Sequence, residues 1–214
     1  MDIVVAGGHG KIGLRLGKLL AGSGHRVRGI IRNPDHAPDL EAAGVEPVVA
    51  DMEREESLAP HVEGADAVVF AAGAGPGSGP ERKKTVDLGG AVKLVDAARE
   101  LTPRARFLIV SSIGAHDPAS GGEQMRPYLE AKAAADEAVA ASGLDFTIVR
   151  PGSLTDDPGT GQIEIHTEFG HRGKIPRDDV AATLAACLDE PATIGKTFEL
   201  FSGDTPIAQA LRSL

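Results

Sequence analysis

Tyr128 is the only tyrosine in the chain, and Lys132 follows it four positions later. On a helix, residues four apart share a face, which brings an ammonium group up to a phenol. A cation beside a phenol favours the phenolate, and such a tyrosine can exchange a proton with a substrate oxygen. Ser111 and Ser112 follow the apolar run Phe107–Val110, where a hydroxyl leaving a strand would meet a substrate carbonyl. Near the start, Gly7-Gly8-His9-Gly10-Lys11-Ile12-Gly13 sits between a strand-like run and a helix-like one. Its first glycine allows a tight turn, its middle one lets backbone N–H groups approach a pyrophosphate at the helix N-terminus, and its last lets helix pack closely on strand. These residues together suit proton exchange coupled to hydride transfer with a nicotinamide dinucleotide.

The end of the second strand-like run decides which dinucleotide. A site for NAD usually carries an acid there for the ribose 2'-hydroxyl, and a site for NADP carries a cation for the 2'-phosphate. The chain reads Ile30-Ile31-Arg32-Asn33-Pro34, with no acid, and Arg32 offers a forked donor suited to phosphate. NADP is therefore the expected cofactor. Asp51 and Met52, past the third run, are expected near the adenine, with a turn-forming aspartate as the alternative reading of Asp51. Ala71 and Ala72 at the end of the fourth run and Gly73 directly after it, with Pro151, Gly152, Ser153 and Leu154 after the sixth, complete the candidate cofactor contacts.

The elements that must hold these residues alternate. Met1–Ala6 reads as a strand buried on both faces, and further short apolar runs recur at Val27–Ile31, Val45–Ala50, Ala67–Ala72, Phe107–Val110 and Phe146–Val149. Helix-like segments separate them, at Lys11–Ser23, around Leu40 and Leu58, at Val86–Leu101 and at Leu129–Ala141. This β-α alternation predicts an α/β fold, a doubly wound parallel sheet that binds ligands outside the carboxyl ends of its strands. After Arg150 the pattern changes to a Gly-, Pro- and Asp-rich stretch, an alternating strand Gln162–Thr167, a helix Arg177–Leu188, a strand Thr197–Phe201 and a short helix Ile207–Leu211. The expectation is one domain over residues 1–214, with 151–214 forming a small substrate-side cap. The stretch Gly73–Pro80 cannot be regular structure and lies where a cofactor would pass.

Composition narrows the function further. The chain has 214 residues, 42 % of them hydrophobic, and a net charge of −9, which repels nucleic-acid backbones and anionic lipid. No apolar run approaches the roughly 18 residues of a membrane span, and the N-terminal pattern predicts no secretory leader. One cysteine permits no internal disulfide, so a cytoplasmic protein is expected. Cys187 sits on the apolar stripe of its helix and reads as core. The seven histidines form no metal-motif spacing, and no Gly-x-Ser-x-Gly nucleophile elbow occurs, so neither a metal site nor a hydrolase is expected. The expected partner is a small-molecule substrate, to a monomer or homodimer.

Taken together, the glycine loop, Ser111-Ser112, Tyr128-x-x-x-Lys132 and Arg150-Pro151-Gly152 resemble the short-chain dehydrogenase/reductase superfamily over essentially the whole chain. Arg177-Asp178-Asp179-Val180-Ala181 and the tail Phe198–Leu211 are similar to its small atypical members, the NAD(P)-binding, NmrA-like and epimerase/dehydratase proteins. The resemblance implies that Ser112 meets the substrate carbonyl, with Ser111 bonding backbone, and that Lys132 also bonds the nicotinamide ribose. It also implies an Asn on the preceding helix, where this chain reads Asp87-Leu88-Gly89-Gly90. Asp87 departs from the pattern and adds negative charge near Lys132. The reading is an NADP-dependent oxidoreductase for a small carbonyl or conjugated substrate. A non-catalytic NADP(H) redox sensor and a sugar epimerase or dehydratase are the alternatives.

Overall fold

The computed structural model describes residues 1–75, 77–101 and 105–214. Pro76, within the irregular Gly73–Pro80 stretch, lies outside the described residues. The six apolar runs become β1 (Asp2–Ala6), β2 (Arg26–Ile31), β3 (Glu46–Val49), β4 (Ala67–Phe70), β5 (Arg106–Val110) and β6 (Asp145–Pro151). All pair in parallel, in the order β3-β2-β1-β4-β5-β6. Strand order reverses between β1 and β4, so a crevice opens at their carboxyl ends.

β1, β2, β4, β5 and β6 each feed two cores because successive side chains point to opposite faces, whereas the edge strand β3 is half-exposed and packs only Val48 inward. In β1, Ile3 and Val5 enter one core while Val4 and Ala6 enter the other; in β5, Leu108 and Val110 part from Phe107 and Ile109 in the same way. The first core is closed by α1 (Lys11–Gly22), through Ile12, Leu16 and Leu20, against Val180, Leu184 and Cys187 of α7 (Arg177–Asp189), with Leu40 of α2 (Ala37–Ala42) at its edge. Arg15 of α1 adds a hydrogen bond of 2.6 Å to Asp178 of α7. On the opposite face lie Val62 of α3 (Ala59–Val62), Leu94 and Val95 of α5 (Ala91–Arg99) and Ala135 and Val139 of α6 (Gly122–Ala140).

The helix expected over Val86–Leu101 is composite. It begins as a single turn, α4 (Pro80–Arg82), continues as a π-helical segment, Lys83–Gly90, and ends as α5 (Ala91–Arg99). Gly89 and Gly90 are weak helix formers, and the wider π turn is a form found often at functional sites. After it, α6 (Gly122–Ala140) carries Tyr128 and Lys132.

Residues 151–214 divide between sheet and cap. β10 (Lys196–Ser202) pairs in parallel with β6, β8 (Gln162–His166) pairs antiparallel with β10, and β11 (Thr205–Pro206) finishes that edge before α8 (Ile207–Arg212). The remainder forms a parallel ribbon of β7 (Ser153–Thr155) and β9 (Lys174–Pro176), with the loops beside it. Among the described residues, no helix is long and apolar enough to cross a membrane.

Cys187 is fully buried in the α1–α7 core, and burial pushes its thiol pKa up to about 12. The native protein should therefore leave this thiol unreacted with a disulfide reagent at pH 8, where the thiolate is the reacting form. One thiol per chain should titrate after denaturation. Rapid reaction of the native protein would contradict this packing.

Candidate functional site

The turn from β1 into α1 is built on close approach. Gly7 has φ of +82°, and a Cβ there would lie 2.7 Å from the Cα of Ala72. A Cβ on Gly13 would lie 2.2 Å from the carbonyl oxygen of Gly7, so only glycine lets α1 start where it does. The N–H of Gly10 donates to Gly7 O at 2.8 Å, and Gly10 becomes the N-cap, with no side chain capping the first turn. The first-turn amides of Lys11, Ile12 and Gly13 thus face the crevice without an intrahelical partner, the arrangement that receives a pyrophosphate.

Beside this turn lies a cleft of about 320 Å³, lined by Gly7, His9, Gly10, Arg32, Asp51, Met52 and Ala71–Gly73, among others. His9 bonds Asp39 at 2.7 Å and stacks on His36 with ring centroids 3.7 Å apart. Arg32 leaves the end of β2 and pairs with Glu53 at 3.3 Å. Glu53 also accepts from the Thr85 hydroxyl at 2.6 Å and from Arg82 at 3.4 Å. The Thr85 bond, aided by Arg82 and Arg32, holds the Glu53 carboxyl below the ordinary carboxylate range.

A second cavity, of about 360 Å³, shares Ala71, Ala72 and Gly73 with the first and adds Ile12, Lys83, Asp87, Ser111, Met125, Tyr128, Lys132 and Leu154, among others. Lys132 is buried; its Nζ lies 3.2 Å from Asp87 Oδ1, donates to Val110 O at 3.1 Å, and stands 5.9 Å from the Tyr128 ring centroid. Asp87, buried in the π segment, accepts the Ala74 N–H through its other oxygen at 3.1 Å. The Lys132 ammonium therefore lies against the ring face of Tyr128, with Asp87 and Val110 O as its polar partners. Lys83 Nζ stands over the same ring at 5.0 Å. Beneath them, buried Asp136 accepts from Ser111 Oγ at 2.8 Å and Arg150 Nε at 2.9 Å. Burial raises the Asp136 pKa, and Arg150 and Ser111 oppose the rise.

A third cavity, of about 720 Å³, shares Ser111, Met125, Tyr128 and Leu154 with the second and is bounded by Ser112, His116, Pro151–Ser153 and Gly170–Gly173. Its far wall is pinned from below. Glu199 of β10, fully buried, accepts the N–H groups of Gly170 and His171 at 3.1 and 3.0 Å, and His116 Nδ1 approaches it to 3.7 Å.

Most of the residues singled out in the sequence meet along this row of cavities, with differences. Gly8 and Gly13 line none of these three cavities; a Cβ on Gly8 would lie 2.8 Å from the Cα of Gly29, so its smallness serves strand packing, as that of Gly13 serves the approach to the Gly7 carbonyl. The Lys11 side chain turns away to Asp156 at 2.5 Å, leaving its backbone N–H at the helix start. Ser112 faces the third cavity, its hydroxyl donating to Ile113 O at 3.0 Å. The Ser111 hydroxyl, expected on backbone, instead donates to Asp136, because that buried carboxylate lies within its reach. Pro151, Gly152 and Ser153 line the third cavity alone, whereas Leu154 lines the second as well. Sequence reading missed Glu53, Arg82, Lys83, Asp136 and Glu199. Asp136 had a signal: it continues the four-residue spacing of Tyr128 and Lys132 along one face of α6.

The switch-point crevice, the glycine turn and the uncapped helix start define a dinucleotide-binding protein of the Rossmann class. The chain belongs to the NAD(P)H-binding family, whose model matches residues 7–191. It is 42 % identical over 216 residues to the uncharacterized sugar epimerase YhfK of Bacillus subtilis, covering all of both chains. Among solved structures it is similar to a Bacillus halodurans protein provisionally named an NAD-dependent epimerase/dehydratase, with 40 % identity, full coverage of both chains and a TM-score of 0.94. It is also similar to the oxidoreductase ylbE of Lactococcus lactis, with 30 % identity, coverage of 100 % and 96 % and a TM-score of 0.85.

The Lys132–Asp87 pair carries a stability consequence. Removing one member of a buried ion pair leaves an uncompensated charge, at a cost of about 3–5 kcal/mol. Asp87→Ala should lose stability on that scale in urea unfolding, while the double variant Asp87→Ala/Lys132→Met should lose much less than the two single losses added. Strict additivity would mean that the two charges do not interact.

Proposed function

We propose that the protein is an NADP-dependent oxidoreductase that reduces, or in reverse forms, a small carbonyl or conjugated substrate. The observation that carries this reading is the sharing of Ala71–Gly73 by the glycine-turn cleft and the cavity holding Tyr128 and Lys132. A dinucleotide lying along that edge would reach from Arg32 to Tyr128. The glycine turn fits such a group, since a Cβ at Gly7 or Gly13 would close it. Arg32 would hold the 2'-phosphate, the first-turn amides of α1 the pyrophosphate, and Lys132 the ribose beside the reacting ring. When bound, the cofactor supplies or accepts hydride.

The chain's own residues do the rest. Tyr128, half-buried between the second and third cavities, would give its hydroxyl proton to the substrate oxygen as that oxygen gains charge. Lys83 and Lys132 stand over its ring with positive charge. Ser112, rotated from Ile113 O, would donate to the same substrate oxygen from the third cavity. Asp87 fixes the Lys132 ammonium and keeps the buried charge compensated. The larger third cavity would take the substrate, and the chain would act as a monomer or homodimer without a nucleic-acid partner.

An epimerase reading has support of its own in the name of the Bacillus subtilis relative. Tyr128 would then take a proton from a substrate hydroxyl and later return one to the same oxygen, with no net oxidation of the cofactor.

Arg32→Ala should weaken NADPH by roughly 1.5–3 kcal/mol, the worth of a charge-assisted contact, and leave NADH nearly unchanged. Fluorescence titration of both dinucleotides measures it, and equal affinities in the wild type would remove Arg32 from the site. With NADPH and a panel of quinones, aldehydes and conjugated carbonyls, at least one compound should oxidise the cofactor stoichiometrically. Tyr128→Phe should abolish that turnover with little change in NADPH affinity. An unchanged kcat would sink the assignment. Sugar isomerisation without net oxidation would favour the epimerase, and a several-fold difference in affinity between NADP and NADPH with no turnover would favour a sensor.

A further inference from the structure

Three donors from separate parts of the chain converge on one carboxylate inside the cofactor cleft. Arg32 Nη1, from the end of β2, lies 3.3 Å from Glu53 Oε2, and Arg82 Nε, from α4, lies 3.4 Å from the same oxygen. The Thr85 hydroxyl, from the π segment, donates to Glu53 Oε1 at 2.6 Å. Arg32, Arg82 and Glu53 all line the cleft that holds the glycine turn. Arg82 is only half-exposed and is steadied by a further bond to Ala74 O at 3.4 Å. The backbone beside Glu53 is anchored independently, since Lys93 Nζ donates to the carbonyls of Met52, Glu53 and Glu55 at 3.0, 3.3 and 2.5 Å. The Glu53 side chain can therefore leave the arginines without unmaking the loop that carries it. The other cleft carboxylate, Asp51, is engaged by the Glu53 N–H at 3.0 Å and by Arg54 at 3.6 Å.

We propose that Arg32, Arg82 and Thr85 form a phosphate cradle that Glu53 fills in the free protein, and that the 2'-phosphate of NADP displaces the Glu53 carboxylate from it. The inference rests on the NADP reading above and goes beyond it. It makes Arg82 a second phosphate ligand and Glu53 an internal competitor that sets cofactor preference. The physical ground is the match of donors to acceptors. A carboxylate offers two oxygens and one negative charge, whereas a phosphate monoester offers three oxygens and up to two charges to the same two guanidinium groups and hydroxyl. Thr85 and both arginines also stabilise Glu53 in its ionised form, so at neutral pH the competition is between two anions. A cofactor without the 2'-phosphate has nothing with which to displace Glu53.

Calorimetric titration with adenosine 2',5'-bisphosphate and with 5'-AMP tests this without turnover. The wild type should prefer the bisphosphate. Arg82→Ala should weaken the bisphosphate about tenfold, one charge-assisted contact, and leave 5'-AMP within about twofold. Thr85→Val should weaken it in the same selective way by a smaller factor. Glu53→Ala should tighten the bisphosphate several-fold and leave 5'-AMP unchanged. Thermal melts identify any variant that fails to fold, and the remaining variants still decide the question. If the wild type prefers the bisphosphate but Arg82→Ala keeps that preference, or Glu53→Ala weakens it, the cradle is wrong and the NADP reading stands. Equal binding of both probes by the wild type overturns both.

Discussion

The rest of the site depends on a crossing with no room for a Cβ atom. Where β1 turns into α1, the carbonyl of Gly7 lies against Gly13, the α-carbon of Gly8 lies against Gly29, and the chain of Ala72 lies against Gly7. Three strands and a helix meet there at backbone distance. That closeness aims the start of α1 at the strand-order switch and seats its apolar stripe on α7, joining the first core to the last third of the chain. A single methyl at Gly13 would push the helix away from the carbonyl it rests on, and the cleft and the α1–α7 packing would move together.

The second constraint is charge held out of water. Lys132 and Asp87 are both buried and face each other, and Asp136 and Arg150 do the same directly below the second cavity. Buried pairs of this kind contribute little net stability over well-packed apolar residues, but breaking one is costly. Their effect here is geometric. Lys132 is tied to the end of β5 through Val110 O and to the π segment through Asp87, so α6 is fixed against both the sheet and the helix that borders the cofactor cleft. Asp136 ties α6 to β6 through Arg150 and to the residue after β5 through Ser111.

Legibility in the sequence followed the range of each interaction. The glycine turn, the Tyr128–Lys132 face and Arg32 at a strand end all depend on neighbours within a few residues, so spacing alone exposed them. The alternation of strands and helices was readable for the same reason, since the central strands β1, β4 and β5 carry their own two-faced apolar runs. Glu53 was not readable as a ligand for Arg82 and Thr85, which lie 29 and 32 residues further on and meet it only through the strand order. Glu199 likewise reaches Gly170 and His171 across an antiparallel pairing that no local pattern announces. The π segment escaped because glycines in a helical pattern indicate weakness without indicating which wider turn replaces the regular one.

The clasp of Glu199 on the backbone of Gly170 and His171 separates two duties. Both bonds go to main-chain N–H groups, so a strand of the sheet fastens the wall of the third cavity, with the His116 and His171 imidazoles 3.7 and 3.4 Å from the same carboxylate. Arg172 can therefore be exchanged for other residues while the wall keeps its position, whereas His116 and His171 also face the buried Glu199 carboxylate. In evolutionary terms the sheet owns the fastening and the loop owns the lining at Arg172. Such a division lets related chains differ in what lines this cavity while their folds remain superimposable.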